Sequence, residues 1–310
     1  MVSMKLVLSQ PRILPSALLL VTALLAAGEF SQNIYAQHRT PGQSGSHSSR
    51  TTLSAANRAL IEEGINVVCT QAKLDPEASV AIDEMQARPS LPVSSSESQS
   101  GAVRAEKLLP IAKVLVEGAL KQLVQDYGFA LSPGFRPKLQ QAILRVQNVR
   151  RIRPDMESRD NASVFLSRPH TITFGTIFLA GLRSDEGMIS VLAHELTHIA
   201  DGDNDSLRAL VLTIASRATR LTGLDLHGQR GEELTCDLVG AMAVQAFVGQ
   251  TPSYESVARR LSRAVQHNCV DLDEGDDEHL SPRNTIRAVL SLQPDLTSYL
   301  VYDRPDHLRP

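Results

Sequence analysis

The stretch Met188-Ile189-Ser190-Val191-Leu192-Ala193-His194-Glu195-Leu196-Thr197-His198-Ile199-Ala200 combines an apolar helical period with two histidines four residues apart. On a helix that spacing puts both imidazoles on one face, one turn above the other, where they can share a metal ion. Zinc takes neutral imidazole nitrogens at about 2.0 to 2.1 Å, and a catalytic site keeps one position open for water. Glu195, beside the first histidine, reaches such a water rather than the metal and is the candidate general base. Ser184 stands where a cap would accept from the first free amides, Asp185 and Glu186 place negative charge in the first turn, and Gly202 marks the end. Met188, Val191, Leu192, Leu196 and Ile199 form an apolar stripe, which predicts a buried helix with its histidine face turned to a cleft.

Two histidines leave a zinc site incomplete. A third ligand immediately downstream would require a glycine three residues after His198 and a histidine six after, but Asp201 and Asn204 hold those positions. The next source is a predicted helix from Glu232 to Val248, ended by Gly249. With Glu233 as ligand, Asp237 lies one turn further on, placed to accept the second N–H of a ligand histidine and fix its tautomer. With Glu232 as ligand, Cys236 would hold that supporting position and serve it less well. Acids at a helix start have a plainer explanation in the helix dipole. Their pairing with the histidine helix, across a predicted helix from Ser206 to Leu221, makes Glu233 the candidate third ligand and Asp237 the residue behind the imidazole.

Composition is that of an ordinary globular chain: 310 residues, 42% hydrophobic, 21% charged, formal net charge −3. No long basic block and no tryptophan are present, so a nucleic-acid surface has no support; Arg150, Arg151 and Arg153 read as a solvated element end. Lys5 and Arg12 precede the apolar run Ile13 to Ala27, broken by Pro15, Ser16 and Thr22, which reads as a signal peptide cleaved after Gly28 or Ala36, or as an anchor giving membrane association. An exported protein, periplasmic or secreted, follows. Of three cysteines, Cys69 and Cys269 can pair in an oxidising compartment, and none has the close spacing of a cysteine zinc site.

Residues 37–101 read as a linker-rich segment carrying one short helix, Ala55 to Lys73, with Pro89 to Gly101 disordered around the serine run Ser94 to Ser98. The main domain spans 102–310. It opens with a helix through Leu108, Ile111, Leu115, Leu120 and Val124, interrupted near Pro110, and a second from Pro137 to Val146. Val149 to Ile152, Ser163 to Leu166 and Thr171 to Leu179 are the predicted strands, the last half-exposed by its alternation and placed to receive an extended peptide. Further helices are predicted at Ser253 to Gln266 and Pro282 to Leu292. The fold class is α+β, mainly helical, with a small sheet before the metal helix.

His194-Glu195-x-x-His198 followed by Glu233-x-x-x-Asp237 on a later helix resembles the gluzincin zinc metallopeptidases of the HtpX and CAAX prenyl protease family. The resemblance covers roughly Ala102 to Leu292, including Asn161-Ala162, the strand around Thr171 to Phe178, Gly181-Leu182 and Val191-Leu192-Ala193. Without further membrane-spanning segments the chain is most similar to the soluble exported BepA-like branch. The resemblance implies a zincin-type domain, one Zn²⁺ per chain on His194, His198 and Glu233, and endopeptidase activity on a protein or peptide substrate. It also implies an arginine near the C-terminus, matched by Arg287 as candidate stabiliser of transition-state charge. Ser281-Pro282 stands where the family has His-Pro, and the nearest histidine, His279, is two residues early. The alternative is an exported chaperone or envelope-assembly factor with a mainly structural zinc.

Overall fold

The structure, a computed structural model, describes residues 53–74, 90–128, 131–165, 167–202, 206–265, 269 and 275–302. The signal-like segment, and the Ser/Gly-rich stretch up to residue 52, lie outside them. In chain order the elements are α1 (Ala55–Leu74), α2 (Ser96–Tyr127), α3 (Phe135–Gln147), β1 (Arg151–Asp155), β2 (Ala162–Val164), β3 (Thr171–Gly175) and α4 (Thr176–Gly181). There follow α5 (Asp185–Asp201), α6 (Arg208–Thr222), α7 (Gln229–Gln250), α8 (Val257–Ala264), α9 (Pro282–Leu292) and α10 (Pro294–Tyr302). The architecture is α+β, mostly helical with one small mixed sheet. No helix among the described residues is long and apolar enough to cross a membrane.

Helix α5 carries the histidine stretch and sits at the centre, packed on α2, α3, α7, α8 and β2. Its ends form as the residues dictate. Ser184 Oγ accepts from Gly187 N at 3.0 Å, and the Gly202 amide bonds the His198 carbonyl. Arg145 of α3 caps the far end, its guanidinium donating to the carbonyls of Ile199, Ala200 and Asp201. A cation there also suits the negative end of the dipole. Near the other end Glu186 is buried against Arg260 at 2.6 Å, and Arg260 spends its remaining donors on the carbonyls of Val248 and Thr251 and the Thr251 hydroxyl. A buried pair so completely bonded holds α8 and the end of α7 to the start of α5.

Helix α7 runs antiparallel to α5, Asp237 level with His194 and Glu232 with His198. Gly240 permits this: a Cβ there would stand 3.2 Å from the Ser190 carbonyl, so the helices approach backbone to side-chain base. Met188, Leu192 and Leu196 are fully buried on α5, as are Leu238, Val239 and Ala243 on α7.

Three expectations are corrected. The serine run is not a disordered linker but the start of a 32-residue helix: Ser95 Oγ accepts from Ser98 N, Glu97 supplies first-turn charge, and Gly101 lets α2 cross α4, where a Cβ would lie 2.1 Å from the Leu179 carbonyl. Capping and a close crossing outweigh the low helix preference of serine. Pro110 does not interrupt α2; its ring faces solvent and the neighbouring turns hold the helix together. The third expectation, that the strand at Thr171 is a half-exposed platform, fails because the sheet order is β1-β3-β2. β3 is central, parallel to β1 and antiparallel to β2, with Ile172, Thr173 and Phe174 all buried, and the chain turns helical at Thr176.

Helix α1 lies ahead of the expected domain start at residue 102. Ile61, Ile65, Val68 and Ala72 bury one face of α1, which packs on α8, α9 and α10. A Cys69–Cys269 disulfide, closing a sequence separation of 200, and ion pairs from Glu62 to Arg283 and Arg287 tie it down. Among the described residues, α1 falls in one compact unit with the elements that follow it.

Candidate metal centre

The i, i+4 spacing of His194 and His198 places the two rings 5.0 Å apart at 64°, edge to face. Their orientation is fixed from behind. His194 Nδ1 lies 2.9 Å from Asp237 Oδ1, and His198 Nδ1 lies 3.2 Å from Glu232 Oε1. An ionised carboxylate only accepts, so both Nδ1 atoms donate and both Nε2 atoms carry the lone pairs in the neutral rings.

Those lone pairs converge. The two Nε2 atoms are 3.2 Å apart, and the Glu233 carboxylate faces both, Oε2 at 3.1 Å from His194 and Oε1 at 3.5 Å from His198. Nitrogens bound to one tetrahedral zinc at about 2.0 to 2.1 Å would stand about 3.3 Å apart. Two imidazole acceptors and a carboxylate at that spacing form a group that could hold a cation. Protons answer the same demand: burial pulls both imidazoles down, but Asp237 and Glu233 hold His194, and Cys236, Glu232 and Glu233 hold His198, well above the ordinary histidine value. Glu233 is conversely held well below its usual range, burial being outweighed by its bonds to the two imidazoles. The donor set therefore fits a zinc ion.

Glu195 is 6% exposed, and burial raises its pKa, an effect the two histidines partly offset. A carboxyl destabilised as an anion is a stronger base than a solvated one.

Other candidates are placed differently. Arg287, expected near the reacting carbonyl, has Glu62 Oε1 on its Nε at 2.8 Å and Asn284 Oδ1 on its other arm. It thus serves the docking of α1, and nothing in its contacts links it to the histidines. His279, two residues out of register in the sequence, nevertheless has Nε2 3.7 Å from Glu233 Oε2 because the Gly275–Leu280 bridge folds its loop back. Three neighbours of the centre carried no assigned role in the sequence reading: Glu232 as second tautomer-fixing acceptor, His279, and Cys236. Cys236 Sγ and one nitrogen from each of His194 and His198 lie within 4.8 Å of one another. The i+4 step from Glu232 to Cys236 was the signal available, since it puts the thiol on the same strip of α7.

Comparison with protein-family models, curated proteins and solved structures yields no match. The residues of the site carry the functional reading by themselves.

Proposed function

We propose that the chain is an exported zinc-dependent endopeptidase of the gluzincin type, related to the HtpX and CAAX prenyl protease family in its soluble BepA-like branch. The observation that supports it best is the convergence of two Nε2 lone pairs and the Glu233 carboxylate beside a buried Glu195. His194, His198 and Glu233 would hold the ion, and Asp237 and Glu232 keep the imidazoles turned to it. When bound, zinc polarises a scissile carbonyl and acidifies a water. Glu195 would take a proton from the nucleophile and deliver it to the leaving amine. The Cys69–Cys269 bond suits an oxidising compartment and so supports export.

The peptide cannot align on β3, both of whose edges are occupied. β2 is the alternative: it packs on α5 and its outer edge has no strand partner among the described residues. An extended chain added there would run beside the metal helix, held by backbone hydrogen bonds.

A second reading, an exported chaperone or assembly factor with a structural zinc, is favoured by one observation, the Cys236 thiol beside the histidines, because four protein ligands close a site. Hydrolysis of casein by the purified chain separates them. The peptidase reading expects chelator-sensitive cleavage that Glu195→Gln abolishes while zinc stays bound. Cleavage by Glu195→Gln at the wild-type rate would remove Glu195 from the chemistry, and a zinc-loaded wild type that cleaves nothing would favour the structural reading.

A further inference from the structure

A two-histidine, one-carboxylate zinc centre is catalytic only while its fourth position is open to water. The structure puts a soft ligand beside that position. Cys236 is 1% exposed and takes no part in the disulfide that joins Cys69 and Cys269. Its Sγ and one nitrogen from each of His194 and His198 lie within 4.8 Å of one another, and on α7 it follows Glu233 by three residues. The close crossing at Gly240, one turn along α7, brings this strip of the helix against α5, where residue 236 is buried.

Coordination geometry tells how far the sulfur stands from bonding distance. Zinc holds a thiolate at about 2.3 Å and an imidazole nitrogen at about 2.0 to 2.1 Å, so in a tetrahedron the two ligand atoms are about 3.6 Å apart. Cys236 Sγ lies within 4.8 Å of a nitrogen of each histidine. Rotation of the thiol side chain is the movement that would bring the sulfur to bonding distance. With both Nδ1 atoms engaged by Asp237 and Glu232, the rings have only Nε2 to offer a metal; the Glu233 carboxylate faces both, and the sulfur stands near the same pair of imidazoles.

We propose that Cys236 is the fourth protein ligand of the resting centre, so that sulfur fills the position a water needs and the site is latent until Cys236 withdraws. This rests on the zinc reading of the previous section and adds its regulation: the same residues form a closed His-His-Glu-Cys centre and an open His-His-Glu one, differing by one side-chain movement. Glu195 serves the open form and Cys236 the closed form.

Cobalt substitution of the full chain tests it independently of activity. Co²⁺ bound through sulfur shows an intense near-ultraviolet thiolate-to-metal charge-transfer absorption; bound through nitrogen and oxygen alone it shows only the weaker visible d–d bands. The proposal expects the charge-transfer band in the wild type and its loss in Cys236→Ala with the d–d bands retained. It also expects zinc affinity in Cys236→Ala to fall on the order of 10- to 100-fold in a chelator competition, with hydrolysis per bound zinc increased. Wild-type cobalt protein with d–d bands but no charge-transfer band would overturn the proposal while leaving the metal centre standing. A wild type that binds neither cobalt nor zinc would overturn the metal centre itself. Because the first of these results is read on the wild type, folding of the variant does not decide it.

Discussion

Replacing Asp237 by alanine tests the electrostatic design of the centre more sharply than removing a ligand. Asp237 touches no metal position; its Oδ1 takes the Nδ1–H of His194 at 2.9 Å. That bond is short and charge-assisted, and it both chooses the tautomer and makes Nε2 a better donor. Loss of such a partner weakens metal binding by roughly 10- to 100-fold, or about 1.4 to 2.7 kcal/mol. Asp237→Asn can still accept the hydrogen bond without the charge, so its loss should be the smaller of the two, near tenfold. Glu232→Ala removes a longer bond, 3.2 Å, from a side chain 40% exposed to solvent, and should cost less than Asp237→Ala. Zinc dissociation constants from competition with a chromophoric chelator at pH 7.5 would give this order, with Glu62→Gln, whose carboxylate pairs with Arg283 and Arg287, as an unaffected control. Equal zinc affinity in Asp237→Ala and wild type would refute the view that this carboxylate orients a ligand.

Burial raises the Glu195 pKa, so its carboxylate burdens the folded state: that burden is absent below the unfolded value near 4.5 and fully present once pH has risen through the folded pKa. Glu195→Gln in chelator should accordingly raise the urea midpoint at pH 7.5 and leave it nearly unchanged at pH 4, and a variant less stable than wild type at pH 7.5 would contradict this. Removing the disulfide with Cys69→Ser frees a loop of 200 residues and should lower stability by up to about 5 kcal/mol in denaturant melts, with α1 becoming the first site of limited proteolysis. Arg260→Ala strands the Glu186 carboxylate in the core and should cost about 3 to 5 kcal/mol, much of it recovered in the Arg260→Ala, Glu186→Gln double variant; no recovery would mean the pair is not coupled.

What the sequence disclosed and what it hid divides along a physical line. Local periodicity carried α5 with its Ser184 cap and Gly202 end, the helix α1, the mainly helical α+β class, and the shared face of Glu233 and Asp237. Each depends on residues within a few turns of one another. Contacts across the chain were hidden: Glu62 meeting Arg287, Arg145 capping α5, and Cys236 lying against His198. The i+4 relation of Glu232 to Cys236 tells which strip of α7 they share but not which histidine that strip meets. β3 was misplaced for a similar reason, because alternation says nothing of how many neighbours a strand has. The serine run misled because the same residues favour disorder in a free chain and a cap when a helix follows.

Zinc content of the purified chain is the most direct measurement of all. Elemental analysis after dialysis against metal-free buffer should find one zinc per chain in the wild type, and next to none in a His194→Ala, His198→Ala variant that keeps its helical circular dichroism. A folded wild type without zinc, or zinc that survives loss of both histidines, would contradict it.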